Sequence, residues 1–297
     1  MARKPARFSG GARLGVSGAL VFRSRAGTGD AAIMHPPLDT DEYDVALEQV
    51  ANSLSKARRV VALTGAGVSA ESGLATFRGA DGLWEGHRIE DVATPSAFQR
   101  DPALVWRFYN ARRANLRTVQ PNPGHRAFVE LEDRLVKRSG GDGAGAFTLA
   151  TQNVDGLHRA AGSRRVLELH GSLQRVRCTR CSHLAATDEA LPDLPHCPQC
   201  GHLLRPDVVW FHEMLPAEIW REAAQATAIC ECFLVVGTSA IVYPAAGLID
   251  AARAAGAMVV EINPEATSAS RRGGLALRGR SGEILPQLMQ RLRGEKT

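Results

Sequence analysis

Val60-Val61-Ala62-Leu63-Thr64-Gly65-Ala66-Gly67-Val68-Ser69-Ala70 is the stretch on which the fold turns. Four successive apolar residues make a strand buried on both faces, as a parallel sheet covered by helices requires. The strand runs directly into G-x-G-x-x-A. There the missing side chains let a backbone approach an anionic group, whose charge then sits at a helix N-terminus. A plain tight turn accounts for the same residues, so this loop alone is a weak nucleotide signal. A dehydrogenase would continue to a second strand ending in an acidic residue about 20 residues on. Here Glu71-Ser72-Gly73, Thr76-Phe77-Arg78-Gly79 and Gly82-Leu83-Trp84 follow, and they read as loop chemistry.

Outward from this stretch the pattern repeats. Further strands are expected at Phe147–Ala150, Val166–Leu169, Phe233–Val236 and Met258–Ile262. Helices are expected near 101–118, 122–138, 216–229 and 244–255, and upstream where Tyr43, Leu47, Val50 and Leu54 fall at helical spacing. Short apolar strands alternating with helices indicate an α/β fold with a mostly parallel sheet. In such sheets ligands bind beyond the carboxyl ends of the strands. The strand ends here carry Gly65 to Ala70, Gln152-Asn153-Val154-Asp155, His170-Gly171, Gly237-Thr238-Ser239 and Asn263. Each alone is ordinary turn or cap chemistry; five together describe one polar crevice. His170 is the candidate base, because a neutral imidazole accepts a proton where a hydroxyl or amide does not.

Residues 172–205 interrupt the alternation and hold Cys178-x-x-Cys181 and Cys197-x-x-Cys200. Two such knuckles place four thiolates around one zinc ion, and four protein ligands leave no open position, so the metal is expected to be structural. Disulfides and a redox Cys-x-x-Cys are the competing readings. A reducing compartment disfavours the first, and the second needs no duplicate. His183, His196 and His202 lie close enough to be alternative ligands.

Of the 297 residues, 44% are hydrophobic and 23% charged, a composition expected of a soluble globular chain. The longest apolar run, Phe233 to Ile249, is broken by Gly237, Pro244 and Gly247, so no membrane span is expected. The formal charge of +5 does not point to nucleic acid. Arg3, Lys4, Arg7, Arg13, Arg23 and Arg25 precede the first acid at Asp30, and they more than account for it. Residues 1–40 read as a disordered basic extension, with residues 41–297 forming the catalytic unit and the zinc module inserted at about 172–205. The extension resembles a transit peptide in composition, and an upstream start with Met34 as the true one fits equally. The cytoplasm is the expected compartment, or the mitochondrion if the chain is eukaryotic.

Taken together, these motifs resemble the sirtuin family. The likeness runs from Val60 to Pro286 and also takes in Val208-Val209-Trp210-Phe211. Ala93-Thr94-Pro95 and Phe108-Tyr109-Asn110-Ala111-Arg112-Arg113 make it most similar to class III, the bacterial CobB and mitochondrial sirtuin-5 branch. The resemblance implies a Rossmann-like large domain with a small zinc-binding domain inserted and a cleft between them. It implies an NAD-dependent protein-lysine deacylase (deacetylase, desuccinylase and demalonylase) that yields free lysine, nicotinamide and O-acyl-ADP-ribose. NAD would lie along Gly65, Ala66, Gly67, Ser69, Ala70, Phe77, Arg78, Gln152, Asn153, Asp155, Gly237, Thr238, Ser239 and Asn263, with Ser281 near the adenine end. His170 would deprotonate a ribose hydroxyl.

Acyl-lysine of a protein partner would enter between Val208–Phe211 and Val242-Tyr243-Pro244, its backbone pairing as a strand. Ala93 would line the acyl pocket, and Tyr109 and Arg112, one helical turn apart, would read a distal carboxylate. His212 stands where this branch usually has glycine, which bears on peptide preference. ADP-ribosyl transfer and a noncatalytic zinc-ribbon module are the rival functions. The chain is expected to act as a monomer, with no membrane or direct nucleic-acid partner.

Overall fold

Strand 60–64 has no exposed residue, and its side chains divide evenly between two cores. In the computed structural model, which describes residues 21–22, 40–75, 83–84, 86–140, 145–187, 191–271 and 273–295, it is the centre of a larger sheet. The first strands are β1 (Val21–Phe22), β2 (Val60–Thr64), β3 (Leu83–Trp84), β4 (His87–Arg88), β5 (Phe147–Thr151) and β6 (Val166–Glu168). Then come β7 (Gly171–Cys178), β8 (Leu184–Ala186), β9 (Leu204–Val208), β10 (Cys232–Val236), β11 (Val242–Tyr243), β12 (Met258–Ile262) and β13 (Leu275–Leu277).

Six strands form one parallel sheet in the order β13-β12-β10-β2-β5-β6. Alternation along β2 sends Val60 and Ala62 to one face, where helices 40–56, 123–139 and 281–293 pack. Val61 and Leu63 point to the other, under helices 217–229 and 247–254. Each buried Val or Leu contributes roughly 1.5–3 kcal/mol. Helix 123–139 begins on a reciprocal cap: Asn122 Oδ1 accepts from the Gly124 and His125 amides, and His125 Nδ1 accepts from the Asn122 amide. It ends at Gly140 in the left-handed conformation. From β2 the chain builds outward to β5 and β6, then crosses to β10 and builds outward the other way to β12 and β13. The β2/β10 boundary is therefore the topological switch point.

The paired cysteines lie at the end and in the turns of a separate three-stranded antiparallel sheet, β8-β7-β9, with Cys178 closing β7. Its core also takes in a segment far away in sequence, residues 89–116, with Trp106 and Tyr109 fully buried beside Leu173, Val176 and Trp210. Trp106 Nε1 donates to the Leu204 carbonyl at 3.0 Å, stitching the two segments together.

Two features depart from the sequence reading. A final helix, Ser281–Arg293, covers the sheet through Ile284, Leu285, Leu288, Met289 and Leu292, although Pro286 lies inside it. Within the stretch read as an unstructured extension, Val21–Phe22 form β1 and pair antiparallel with β11, Val21 opposite Tyr243 and Phe22 opposite Val242. Backbone pairing at an open strand edge needs no apolar pattern, which is why composition did not reveal it.

Candidate active site

At the switch point the turns after β2 and β10 touch. A Cβ on Gly65 would stand 2.7 Å from the Thr238 Cβ, and one on Gly67 would stand 2.8 Å from the Gly237 Cα. Gly237 itself has φ of 58°. The glycines thus serve first to let two turns interlock, and the interlock leaves their backbones lining a cavity of about 1110 Å³. Gly65, Ala66, Gly67, Ser69 and Ala70 line it from β2; Gly237, Thr238 and Ser239 line it from β10. Asn263, beyond β12, and Ser281, at the start of the last helix, line it too. Gln152, Asn153 and Asp155 enter from β5. Phe77 and Arg78 lie outside the described residues.

Hydrogen bonds hold these turns rigid. Asn153 Nδ2 donates to the Gly65 carbonyl at 3.0 Å and to Ser69 Oγ at 3.2 Å. Ser69 Oγ donates to Asp155 Oδ2 at 2.7 Å, and Gln152 Nε2 donates to Thr238 Oγ1 at 3.0 Å. Burial pushes the Asp155 carboxyl up, against the hydrogen bonds from the Leu157 amide and Ser69. Glu71 was not singled out from the sequence, yet its Oε1 accepts from Ser281 Oγ at 3.0 Å and the Gly282 amide at 2.8 Å. It ties the glycine loop to the last helix, a link invisible without that helix. Arg280 and Ile241 also line the cavity unannounced.

His170 projects from the β6–β7 junction into the same cavity. Its Nδ1 lies 3.1 Å from the Gln152 carbonyl oxygen. A carbonyl only accepts, so Nδ1 carries the proton and Nε2 keeps its lone pair. Nε2 has no hydrogen-bond partner among the described residues. Burial holds the imidazole down at about 4, partly offset by the Gln152 bond, so the ring is neutral at working pH. This is the state a general base needs.

Ala93, Tyr109, Arg112, Val208, Phe211 and Val242 line the same cavity. Tyr109 and Arg112 lie on one face of helix Pro102–Leu116, and the Arg112 guanidinium carbon is 5.9 Å from the Tyr109 ring centroid. The Phe211 amide donates to the Ala93 carbonyl at 3.0 Å, joining the small unit to the loop that follows β9. His212 has φ of 70°, a left-handed conformation that suits glycine.

Apart from this cavity, the Sγ atoms of Cys178, Cys181, Cys197 and Cys200 all lie within 4.8 Å of one another. The Cys181 and Arg180 amides donate to Cys178 Sγ and hold that thiol down at about 6. Amide donors aimed at sulfur favour the thiolate that a metal requires, and the donor set fits one tetrahedral zinc.

A family model described as "Sir2 family" matches residues 65–244. The chain belongs to the Sir2 family. Among curated Sir2 relatives, "NAD-dependent protein deacylase 2" of Pyrobaculum aerophilum is 49% identical, over 82% of this chain and 95% of that one. Among solved structures, a Sir2 homologue–NAD complex aligns with TM-score 0.77 at 42% identity, covering 88% of this chain and 96% of that one. Sir2Af2 bound to a myristoylated histone peptide aligns with TM-score 0.66 at 34% identity, covering 85% and 100%. As a Sir2 enzyme this chain is an NAD-dependent protein deacylase with NAD as co-substrate, and the four-cysteine cluster is its site for one structural zinc. Among its described residues no helix is long and apolar enough to cross a membrane.

Proposed function

We propose that this enzyme removes succinyl and malonyl groups from protein lysines alongside acetyl, and so stands with the CobB and sirtuin-5 branch. One observation carries the reading: Tyr109 and Arg112 line the same cavity as His170. A guanidinium stays charged at every accessible pH and presents paired donors to a carboxylate. Ala93 lines the same cavity, and its small side chain leaves length for a longer acyl chain.

NAD supplies an electrophilic ribose carbon with nicotinamide as leaving group. The chain's own residues do the rest. The Gly65–Ala70 and Gly237–Ser239 turns would receive the pyrophosphate and ribose, with Asn153 and Asp155 holding the Gly65–Ala70 turn in place. His170 accepts a ribose-hydroxyl proton at Nε2, with Gln152 fixing its tautomer. Val208, Phe211 and Val242 would hold the acylated peptide as an added strand. One water is consumed as the acyl–lysine amide bond and the nicotinamide–ribose bond break, and free lysine, nicotinamide and O-acyl-ADP-ribose leave.

Hydrogen bonds to a charged group contribute about 1.5–3 kcal/mol each, so Arg112→Met should raise the KM for succinyl-lysine peptide roughly ten- to a hundred-fold. The change for acetyl-lysine peptide should be much smaller. Product mass on both peptides with NAD is the measurement. Equal losses on the two peptides would make the pair structural and end the acidic-acyl assignment. ADP-ribosylated protein in place of free lysine would point to the rival transferase.

A further inference from the structure

Trp210 is 2% exposed and stands behind the acyl cavity. Its indole Nε1 is 3.0 Å from the Tyr109 hydroxyl oxygen. An indole N–H donates and has no lone pair to accept with. The bond therefore has one polarity: Trp210 donates and the Tyr109 oxygen accepts. The phenolic proton must point elsewhere. No described residue accepts it, although Tyr109 is wholly buried. Burial also pushes the phenol up to about 12, so the proton is present throughout the working pH range. Tyr109 also lines the cavity, which offers that proton an outlet beyond the described hydrogen-bond partners.

The indole is held in place from several sides. Its own amide donates to Glu213 Oε2 at 2.8 Å, and Glu213 accepts both guanidinium nitrogens of Arg205 at 2.6 and 2.8 Å. The Arg205 guanidinium carbon lies 3.4 Å from the indole centroid, and the Phe98 ring lies at 5.2 Å. None of these groups reaches the cavity, so a rigid frame ends in a single outward hydrogen bond.

We propose that Trp210 is a positioning residue for acyl specificity: by donating to the Tyr109 oxygen it turns the phenolic O–H toward the distal carboxylate of an acidic acyl group. The inference rests on the acidic-acyl function proposed above. A hydroxyl that accepts one hydrogen bond is a stronger donor of the next. Acetyl-lysine has no carboxylate to receive it, so the device separates the two substrate classes.

Trp210→Phe keeps a ring against Phe98 and Arg205 and removes the N–H. The KM for succinyl-lysine peptide should rise about three- to ten-fold relative to that for acetyl-lysine peptide, with the kcat ratio little changed. Placing the isosteric benzothienylalanine at position 210, with sulfur in place of the N–H, should do the same if Trp210→Phe folds poorly. In a Tyr109→Phe background the selective effect of Trp210→Phe should vanish, because the hydroxyl it acts through is gone. A purely structural Trp210 predicts parallel losses on both peptides that persist in that background, and this result would overturn the relay. Arg112→Met, assayed beside these variants, separates the failures. If it is selective while the Trp210 variants are not, the relay fails and the acidic-acyl reading stands. If it is not selective, both fall.

Discussion

Gly171 sits so close to Asp207 that a Cβ on it would stand 2.0 Å from the Asp207 carbonyl oxygen. Its φ of 81° is likewise a conformation that other residues adopt only with strain. The adjacent His170 carbonyl accepts from the Val209 amide at 2.9 Å, so the residue that follows strand β9 grips the candidate base. Gly171→Ala should therefore cost roughly 3 kcal/mol or more of stability and lower kcat at least roughly ten-fold. Thermal unfolding and turnover of acetyl peptide measure both. Unchanged turnover would show that the β7–β9 contact does not set the imidazole.

His170 is held down at about 4 by burial, which keeps it in the neutral form that the proposed base needs. Removal of His170, as in His170→Ala, should abolish deacylation while NAD still binds. Stability should follow pH through the same physics. Burial holds His125 at about 4 and lowers His158 well below its ordinary value, so all three rings are neutral when folded but titrate near 6.5 when unfolded. Unfolding then takes up as many as about three protons between those limits. Their contribution is complete above pH 6.5 and is lost as pH falls toward 4. A melting temperature flat across that window would contradict the burial of the three rings.

Cys181→Ser leaves three thiolates and should lower the melting temperature by roughly 10 °C or more, because metal binding here is part of folding. Metal analysis should find one zinc per wild-type chain, and chelation should reproduce the effect. Active enzyme free of zinc would remove the structural role.

His212 occupies a left-handed conformation at φ 70°. That conformation costs a side-chain-bearing residue about 1–2 kcal/mol, while glycine loses about 0.5–1 kcal/mol through the unfolded chain. His212→Gly should accordingly stabilise the enzyme by roughly 0.5–1 kcal/mol in denaturant titration. A loss of stability would mean that the imidazole makes compensating contacts.

The β11 edge assigned to the acylated peptide is also where β1 pairs. A strand edge bonds one neighbour at a time. Deleting residues 1–33 should lower the peptide KM roughly two- to ten-fold and leave kcat nearly unchanged. An unaltered KM would show that peptide and β1 do not compete.

The sequence by itself determined the α/β sheet, because short apolar runs such as Val60–Leu63 and Phe233–Val236 alternate with helical stretches, as the doubly covered strands of a parallel sheet do. It also put forward the four cysteines as zinc ligands, because their spacing is local, and it showed which strand ends carry polar chemistry; the clustering of the four sulfurs came from the fold. The tertiary structure alone decided what those ends do to one another. Gly65 interlocks with Thr238, Glu71 pins Ser281, and Trp210 donates to a Tyr109 oxygen 101 residues away. Distance along the chain hides such pairs, because a hydrogen bond or a steric limit acts over a few ångströms and leaves no periodic trace. For the same reason residues 89–116 joined the zinc-bearing sheet in one core unannounced: an apolar helix face shows in sequence, but the surface it packs against does not.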